Sequence, residues 1–386
     1  MNNKTDKISI CHLITGLNTG GAERMLYNLL CGTNRELFSP IVISLMDRGR
    51  FGDRIESLGI PVHSIGMKQG APTPATLLRL IQTIRRVEPD VIQGWMYHGN
   101  LAAFLASLFL GLKVPVLWCI QFSIGSLNSE KLLTQAVVRV GATVSNVVSQ
   151  NIFVSKNSRT QHEQIGYSST NSCVIPNATD TSVFKPSQEA RLKLRTELGL
   201  PEETILIGLF ARYNPMKDHA NFLKAAKLLH QEFSQVHFLL AGCNVDEKNQ
   251  ILQNLIQELG IVSQVHLLGE RQDIPYIASA LDIFSLSSAY GEAFPLALGE
   301  AMSCGVPCVA TDVGDSAWII GDTGKVVPPK NPHLLANAFK ELIDLGYQGR
   351  EILGKAARQR IINLFSLDSV VLQYETLYKS LLDYKK

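Results

Sequence analysis

Several large protein classes are excluded by what this sequence lacks. Its seven cysteines include no Cys-x-x-Cys pair, so neither a zinc site nor a disulfide framework is expected, and buried thiols in a reducing cytoplasm fit best. No Asp-x-Asp sequence, a common holder of divalent metal, occurs. The longest apolar run, Leu101 to Leu112, is shorter than the roughly 20 residues that span a bilayer. This run therefore predicts a buried helix.

An excess of either charge is also missing. The 386 residues carry 36 lysines and arginines against 34 acidic residues, a net charge of +2, which argues against a nucleic-acid partner. The first seven residues are polar and the apolar stretch after them is too short for a secretory signal, so a cytoplasmic protein is expected. The length, with 46% hydrophobic residues, suits two globular domains.

Apolar runs alternate with segments of helical period along both halves of the chain, which is typical of doubly wound α/β domains. We predict strands at Ile8 to Ile14, Ile41 to Met46, Val91 to Gln93, Val116 to Ile120, Ile152 to Val154, Ile205 to Phe210, Val236 to Ala241, Val265 to Leu268, Ile283 to Leu286, Val306 to Ala310 and Lys325 to Val327. The charged segment Lys185 to Pro201 marks a boundary, which predicts domains at 1–186 and 187–366. Ligands of such sheets bind at the carboxyl ends of the strands.

The most informative segment is GEAFPLALGEAMSCGVPCV, residues 291–309. Residues eight apart on one helix lie about 12 Å apart along its axis, so a helix that joins Glu292 and Glu300 in one small site must begin between them. Pro295 suits the first helical position, and Gly305 suits a left-handed cap just past the end. Glu292 then lies in the loop before the helix, where free N–H groups attract an anion and a carboxylate accepts hydroxyl protons.

This segment resembles the signature of the retaining, metal-independent glycosyltransferases of the GT-B fold, specifically the family-four hexosyltransferases. Their pattern is a Glu, seven residues, a second Glu, and then Ala-Met-x-x-Gly-x-Pro-Val/Cys-Val, which here starts at Glu292 and Glu300. Ala293 is a departure, because many members have glycine there. The resemblance implies an α/β protein of two Rossmann-like domains facing a cleft, with the last helix (367–386) crossing back to the first domain.

The resemblance also implies roles for the residues of this segment. Glu292 would bind hydroxyls of the donor sugar and Glu300 the ribose of the nucleotide. The helix start would lie at the donor diphosphate, and it comprises Ala293, Phe294, Pro295 and Leu296. The family's proposed front-face mechanism needs no protein nucleophile, because the departing diphosphate oxygen takes the acceptor proton. No cofactor is expected.

Two cations follow the predicted strand Ile205 to Phe210. Arg212 and Lys217 lie five apart in the loop ARYNPMKDH, residues 211–219, and they match the family's Arg-x-x-x-x-Lys element, whose cations hold the donor diphosphate. Fixed cations stabilise a leaving diphosphate because its charge grows as the bond to the sugar breaks. Without an Asp-x-Asp for a metal, Arg212 and Lys217 would do this alone.

A glycine-rich loop follows the first predicted strand in TGLNTGGAER, residues 15–24. It resembles the family's Gly-Gly loop, which implies that Gly20 and Gly21 lie beneath the donor phosphates and beside the acceptor. A dinucleotide site would also begin with strand, glycine turn and helix, with Asp47 where a ribose-binding acid is expected. The glycines do not fit Gly-x-Gly-x-x-Gly, so the first interpretation is favoured.

His98 follows the short strand near Val91 and precedes an apolar helix. A lone histidine there is usually a satisfied core residue, but the family carries a histidine at this place that faces the donor sugar, so a site residue is favoured. Gln121 and Ser123 are candidates for the acceptor side. Asn177 resembles part of a family turn and is interpreted as structural.

The segment 76–87 has one apolar helical face, with Arg79, Arg85 and Arg86 elsewhere. A basic amphipathic helix can lie on an anionic membrane surface, or it can pack on the core with solvated arginines. The pattern alone favours core packing and leaves open a peripheral contact at the inner face of the membrane.

The sequence therefore predicts a retaining hexosyltransferase that uses a nucleotide diphosphate sugar, with uridine as the expected base, and a glycan or lipid-linked acceptor in cell-surface polysaccharide or glycolipid synthesis. Two alternatives remain open. One is a sugar-nucleotide epimerase on the same fold. The other is a catalytically silent subunit that binds a partner enzyme, against which the intact Glu292, Glu300, Arg212 and Lys217 argue. The sugar, the acceptor and the linkage are not determined by these motifs.

Overall fold

The computed structural model describes residues 7–18, 20–68, 73–111, 114–124 and 132–383, with only the backbone of Leu110 and Asp383. Four sequence predictions extend beyond these residues: the polar first residues, Thr19 in the glycine loop, the end of the apolar run at Leu112, and 384–386 of the last helix. In the described part of the chain, no helix is both long and apolar enough to cross a membrane.

The chain divides into two compact units. The first runs up to Ala178 and includes the stretch from Leu367 onward, and the second is Thr179–Ser366. The division lies eight residues before the sequence-based boundary at 186. The sequence placed it later because its signal was the charged segment around Pro186, whereas the chain already enters the second unit at Thr179.

A parallel sheet of seven described strands, in the order β3-β2-β1-β4-β5-β6-β7, forms the centre of the first unit. Its strands and helices are β1 (Ile8–Ile14), α1 (Gly21–Gly32), β2 (Phe38–Ser44), α2 (Gly49–Glu56), β3 (Val62–Ser64), α3 (Pro74–Val87), β4 (Val91–Trp95), α4 (Met96–Leu110), β5 (Val116–Ile120), α5 (Leu132–Val144), β6 (Gln150–Phe153), α6 (Lys156–Gln164), β7 (Ser172–Val174) and the C-terminal helix α15 (Leu367–Asp383).

Helices cover both faces of this sheet. One core joins α1, α2 and α15 to the sheet, and the other joins α3, α4 and α5 to the opposite face. In α15, Tyr374 and Tyr378 are almost fully buried, and the Tyr378 hydroxyl donates to Gln93 Oε1 at 2.5 Å. Burial on both faces explains why the central strands are continuous apolar runs.

The second unit repeats this architecture with six described strands in the order β10-β9-β8-β11-β12-β13. Its elements are α7 (Gln188–Glu197), β8 (Ile205–Phe210), α8 (His219–His230), β9 (Val236–Ala241), α9 (Gln250–Leu259), β10 (Val265–Leu267), α10 (Ile274–Ser279), β11 (Ile283–Leu286), α11 (Leu296–Ser303), β12 (Cys308–Thr311), α12 (Ser316–Ile320), β13 (Gly324–Val327), α13 (Pro332–Asp344) and α14 (Gly346–Leu364). All its described strand pairs are parallel.

Each sheet has a point where the strand order changes direction. In the first unit it lies between β1 and β4, and in the second between β8 and β11. Helices leave these two neighbouring strands toward opposite faces of the sheet, so a crevice opens at their carboxyl ends, and ligands of open α/β sheets bind there. Except for the acceptor-side candidates Gln121 and Ser123, which follow β5, the predicted site residues each follow one of these four strands.

Candidate functional site

Glu292 and Lys217, which are 75 residues apart in the sequence, meet at the switch point of the second unit. Strands β8 and β11 pair in parallel, so the loops after them begin side by side. The Lys217 ammonium, in the loop after β8, donates to Glu292 Oε1, in the loop after β11. The fold thus forms an ion pair from the two motifs that the sequence assigned to one site.

The Glu292 carboxylate is nearly buried. Only 8% of the residue is exposed, and the Ser288 hydroxyl donates to the same Oε1 at 2.5 Å. Ser288 is itself fully buried. A carboxylate can be held away from water only with charge or hydrogen-bond partners, and both are present here. Ser288 is therefore a site residue that the sequence predictions missed.

The two loops are joined by backbone contacts as well. Ala289 N–H donates to Met216 O at 2.8 Å, and the Ser287 hydroxyl donates to Lys217 O at 2.9 Å. Gly291 has a φ of +78°, and a Cβ there would lie 2.5 Å from Met216 Sδ. A side chain at 291 would therefore combine backbone strain with a clash. These contacts fix the position of the Lys217 loop relative to the Glu292 loop.

A third loop supports the backbone of Glu292. Gly314 has a φ of +61°, and a Cβ on it would lie 2.4 Å from the Glu292 carbonyl oxygen. The next N–H, of Asp315, donates to Ala293 O at 3.1 Å. Only glycine permits this approach in this conformation. Gly314 was not predicted, although a glycine soon after the strand end at Thr311 is a signal that could have identified it.

Arg212 differs from Lys217 in being exposed. Among the described residues its guanidinium makes no hydrogen bond or ion pair, while its backbone is held closely. Tyr213 N–H donates to Cys243 O at 2.9 Å, and a Cβ on Gly242 would lie 2.2 Å from Ala211 O. A fixed backbone with an uncommitted guanidinium suits the capture of an anion.

The start of α11 lies directly after Glu292 and Ala293. The helix begins at Leu296, and Pro295 is its N-cap, with an extended conformation of φ −70° and ψ 105°. The prediction that Pro295 occupies the first helical position was wrong by one residue, because its ψ is not helical. The Phe294 ring packs against Trp318 and Phe365, so only the backbone of Phe294 is suited to ligand contact. The first N–H groups of a helix lack partners within the helix.

Glu300 lies in the second turn of α11 and is 8% exposed. Its neighbour Gly299 packs closely, because a Cβ there would lie 2.4 Å from Thr179 Oγ1. Gly305, after the helix end, has a φ of +75°, as the sequence pattern predicted. Both glutamates are thus held on a short helix and its preceding loop, close to the end of β11.

The first unit has a corresponding arrangement at its own switch point. Gly20 is the N-cap of α1, with extended backbone, and Gly21 is the first helical residue. A Cβ on Gly20 would lie 2.3 Å from a Glu23 carboxylate oxygen, whereas Gly21 has open space. The two exposed glycines thus lie at a helix start that follows β1, and their contact with the donor phosphates stays a prediction.

His98 lies in the first turn of α4, after β4. Burial lowers its pKa below the usual 6.5, so the ring is neutral at pH 7. The next residue, Gly99, packs so closely that a Cβ would lie 2.6 Å from Leu13 O. The start of α4 is therefore pressed against β1, whose end leads into the glycine loop.

Gln121 and Ser123, the candidates for the acceptor side, contact other side chains of the first unit. Gln121 donates to Cys119 Sγ at 3.3 Å, and the Ser123 hydroxyl donates to Gln161 Oε1 at 2.7 Å. Asn177 is 6% exposed. None of these contacts indicates a ligand, so Gln121 and Ser123 stay predictions. Over the described residues, no cluster of three or more His, Cys, Asp or Glu could hold a metal ion.

Comparison with known proteins assigns both halves of the chain. Residues 190–360 match the family described as Glycosyl transferases group 1, and residues 19–183 match Glycosyltransferase Family 4. EpsF of Bacillus subtilis (strain 168), a protein named as a glycosyltransferase, is 24% identical over 320 residues, which are 78% of this chain and 79% of EpsF. The UDP-Gal:alpha-D-GlcNAc-diphosphoundecaprenol alpha-1,3-galactosyltransferase of Escherichia coli is 28% identical over 210 residues, 53% of each chain.

Among solved structures, Alr3699/HepE of Anabaena in complex with UDP-glucose is 26% identical, with a TM-score of 0.80, over 96% of this chain and 100% of that one. The same protein in complex with UDP has a TM-score of 0.82 at 25% identity, over 97% and 100% of the chains. The similarity to these structures covers both units.

Proposed function

The chain belongs to the glycosyltransferases of group 1 on the GT-B fold, and from this we propose that it transfers a hexose from a UDP-sugar, with retention of anomeric configuration, to a glycan or lipid-linked saccharide. The observation that carries the proposal is the Lys217–Glu292–Ser288 cluster at the β8–β11 switch point, with the exposed guanidinium of Arg212 in the same loop as Lys217. Polysaccharide or glycolipid synthesis is the setting we propose.

In this proposal the cations and the carboxylate of the cluster bind different parts of the donor. Arg212 and Lys217 supply cations for the diphosphate, and the unpaired N–H groups at the α11 start add partial positive charge. Within the described part of the chain, Lys217 and Ser288 both contact Oε1 of Glu292, which leaves Oε2 for hydroxyls of the sugar. Glu300 in α11 would bind the ribose. In the first unit, His98, Gly20 and Gly21 stay predicted substrate-contacting residues.

In the proposed reaction the bond between sugar C1 and the diphosphate oxygen breaks, and a bond forms from an acceptor hydroxyl oxygen to C1 on the same face. The acceptor proton passes to the departing diphosphate oxygen, so the products are the glycoside and UDP. Arg212 and Lys217 stabilise the charge that develops on that leaving group. Because these fixed cations act where a metal otherwise would, we propose that transfer does not require a divalent ion.

The relatives support the choice of donor and acceptor. The Anabaena structures contain UDP and UDP-glucose, which favours a uridine donor. The Escherichia coli relative is named for transfer to a diphosphoundecaprenol-linked sugar, which favours a lipid-linked acceptor. We therefore propose that the protein acts in the cytoplasm or at the inner face of the membrane.

The test is incubation of the protein with a panel of labelled sugar nucleotides, each with and without a lipid extract as acceptor. Label that moves into the lipid extract indicates a transferase, and a nucleotide sugar that changes without the extract indicates an epimerase. A silent subunit causes neither change. Glu292→Gln should abolish transfer, whereas Glu258→Gln, at an exposed position of the same unit, serves as the matched control. Label that stays in the nucleotide under all conditions would contradict the proposal.

A further inference from the structure

Three helices, α3, α4 and α5, cover one face of the first unit's sheet, and α4 lies between the other two and contacts both. Their inner sides form the core of that face, with Leu80, Ile84, Ala103, Ala106 and Val138 almost fully buried. For α3, this matches the core-packed helix that the sequence pattern favoured. We call the outer side of these helices the α3–α5 face.

The middle helix exposes large apolar side chains. The sequence of α4, MYHGNLAAFLASLFL, contains no Lys, Arg, Asp or Glu. In its last turns Leu108 is 65% exposed and Phe109 is 61% exposed. Two adjacent large apolar side chains held in water are unfavourable unless something covers them.

The neighbouring helix continues this apolar surface. Val140 of α5 is 47% exposed, and Val147, just after α5, is 64% exposed. Each helix returns the chain from the carboxyl end of one strand to the amino end of the next, and β4, β5 and β6 are adjacent. The last turns of α4 and α5 therefore lie at the same end of the sheet, where the strands begin. At the opposite end of α5, Leu132 and Leu133 are 84% and 55% exposed.

The charged residues within the three helices have one sign. Arg79, Arg85 and Arg86 of α3 and Arg139 of α5 are exposed, and the sequences of the three helices contain no Asp or Glu. The nearest acidic residue along the chain is the exposed Glu88, the C-cap of α3. In a chain with nearly equal numbers of both charges, this separation gives a cationic surface around exposed leucine, phenylalanine and valine.

We propose that the α3–α5 face docks on the surface of an anionic lipid bilayer, with Leu108 and Phe109 inserted among the acyl chains near the headgroups and the arginines bound to lipid phosphates. Apolar insertion with basic flanks is the combination that holds monotopic proteins on such surfaces. A second copy of this chain fits less well, because two such faces would bring like charges together. The inference does not depend on the proposed function, because docking needs neither donor nor acceptor.

The test is co-sedimentation of the full chain with vesicles of phosphatidylcholine alone or mixed with phosphatidylglycerol, in the absence of sugar nucleotide. The protein should bind the anionic vesicles, release them at high salt, and bind the zwitterionic vesicles at least tenfold more weakly, because the attraction to the arginines is screened or absent. Leu108→Ser with Phe109→Ser should lower binding to anionic vesicles at least tenfold. Arg85→Gln with Arg86→Gln should lower it and reduce its dependence on salt.

Two apolar residues of the second unit provide a matched control. Ile251 and Ile352 are 69% and 70% exposed, and their double replacement by serine should leave vesicle binding unchanged. Thermal unfolding of each variant checks that it is folded, since all these substitutions are at the surface. The inference would be overturned if wild-type protein did not bind anionic vesicles, or if folded Leu108→Ser/Phe109→Ser protein bound them as well as wild type. A wild-type dimer in lipid-free solution that this double substitution converts to a monomer would also overturn it.

Discussion

Removing Lys217 should weaken nucleotide binding and removing the charge of Glu292 should not, although the two side chains contact each other. Lys217→Met keeps the apolar stem and removes the ammonium that donates to Glu292 Oε1. Glu292→Gln keeps the shape and an oxygen for the Ser288 hydroxyl, and it leaves the ammonium free. The first change should therefore weaken binding of UDP, and the second should leave it intact.

The size of the difference follows from the contacts. A hydrogen bond to a charged group contributes about 1.5–3 kcal/mol, which corresponds to a roughly 10- to 150-fold weaker Kd for UDP in Lys217→Met. For Glu292→Gln we expect a Kd within about threefold of wild type, because no direct phosphate contact is lost and a nearby negative charge is removed. Transfer should fall severely in both variants.

Stability supplies a second readout. Lys217→Met leaves a carboxylate that is 8% exposed without its cation, and breaking such a buried pair costs about 3–5 kcal/mol when fully desolvated. The Lys217 side chain is 18% exposed, so a lower value is expected. Adding Glu292→Gln should recover part of this loss, because the double variant has no orphaned charge.

Isothermal titration of UDP into the three variants, with urea unfolding of the same samples, measures both effects. Lys224→Met, an exposed cation in α8 of the same unit, is the matched control and should bind UDP normally. If folded Glu292→Gln lost UDP affinity as severely as Lys217→Met, the assignment of Lys217 to the phosphates and Glu292 to the sugar would be wrong.

Three further outcomes are expected. Gly314→Ala should reduce transfer at least tenfold by pushing the Glu292 backbone away, whereas Gly199→Ala, also at positive φ but with no atom near its Cβ, should cost only stability; equal activity in the two would refute the steric argument. Burial lowers the pKa of His162 to about 4, so its contribution to stability is complete above pH 6.5 and is lost as the pH falls toward 4; urea midpoints should drop over that interval, and less so in His162→Gln, while identical profiles would argue against it. Transfer should persist in excess chelator, and a loss that magnesium or manganese restores would contradict the proposed role of the cations.

The strands predicted best are those buried on both faces. Residues Ile205–Phe210 and Val116–Ile120 form strands with the predicted bounds, because a continuous apolar run of that length has few other uses. The strands missed were Val62–Ser64 and Ser172–Val174, which lie at the two edges of the first sheet. Each has only three residues, VHS and SCV, with one or two apolar side chains, so its sequence carries little signal.

The site was predictable as residue types but not as contacts. Motif spacing identified Glu292, Glu300, Arg212 and Lys217, yet the ion pair between Glu292 and Lys217 depends on β8 and β11 being neighbours. Strand order is a tertiary property that local pattern does not determine. Gly314 is a similar case, because the need for glycine arises from a carbonyl oxygen more than twenty residues away in the sequence. Such contacts between loops are not determined by local sequence.

Transfer of a hexose from a UDP-sugar at the Glu292–Lys217 site can be followed through both of its products. The most direct measurement follows UDP release and glycosylated product together by mass spectrometry, with the donor chosen from the panel and a lipid extract as acceptor. We expect one UDP released for each sugar transferred by the wild-type protein, and neither product from a folded Glu292→Gln protein that still binds UDP. Equal product formation by wild type and Glu292→Gln would contradict it.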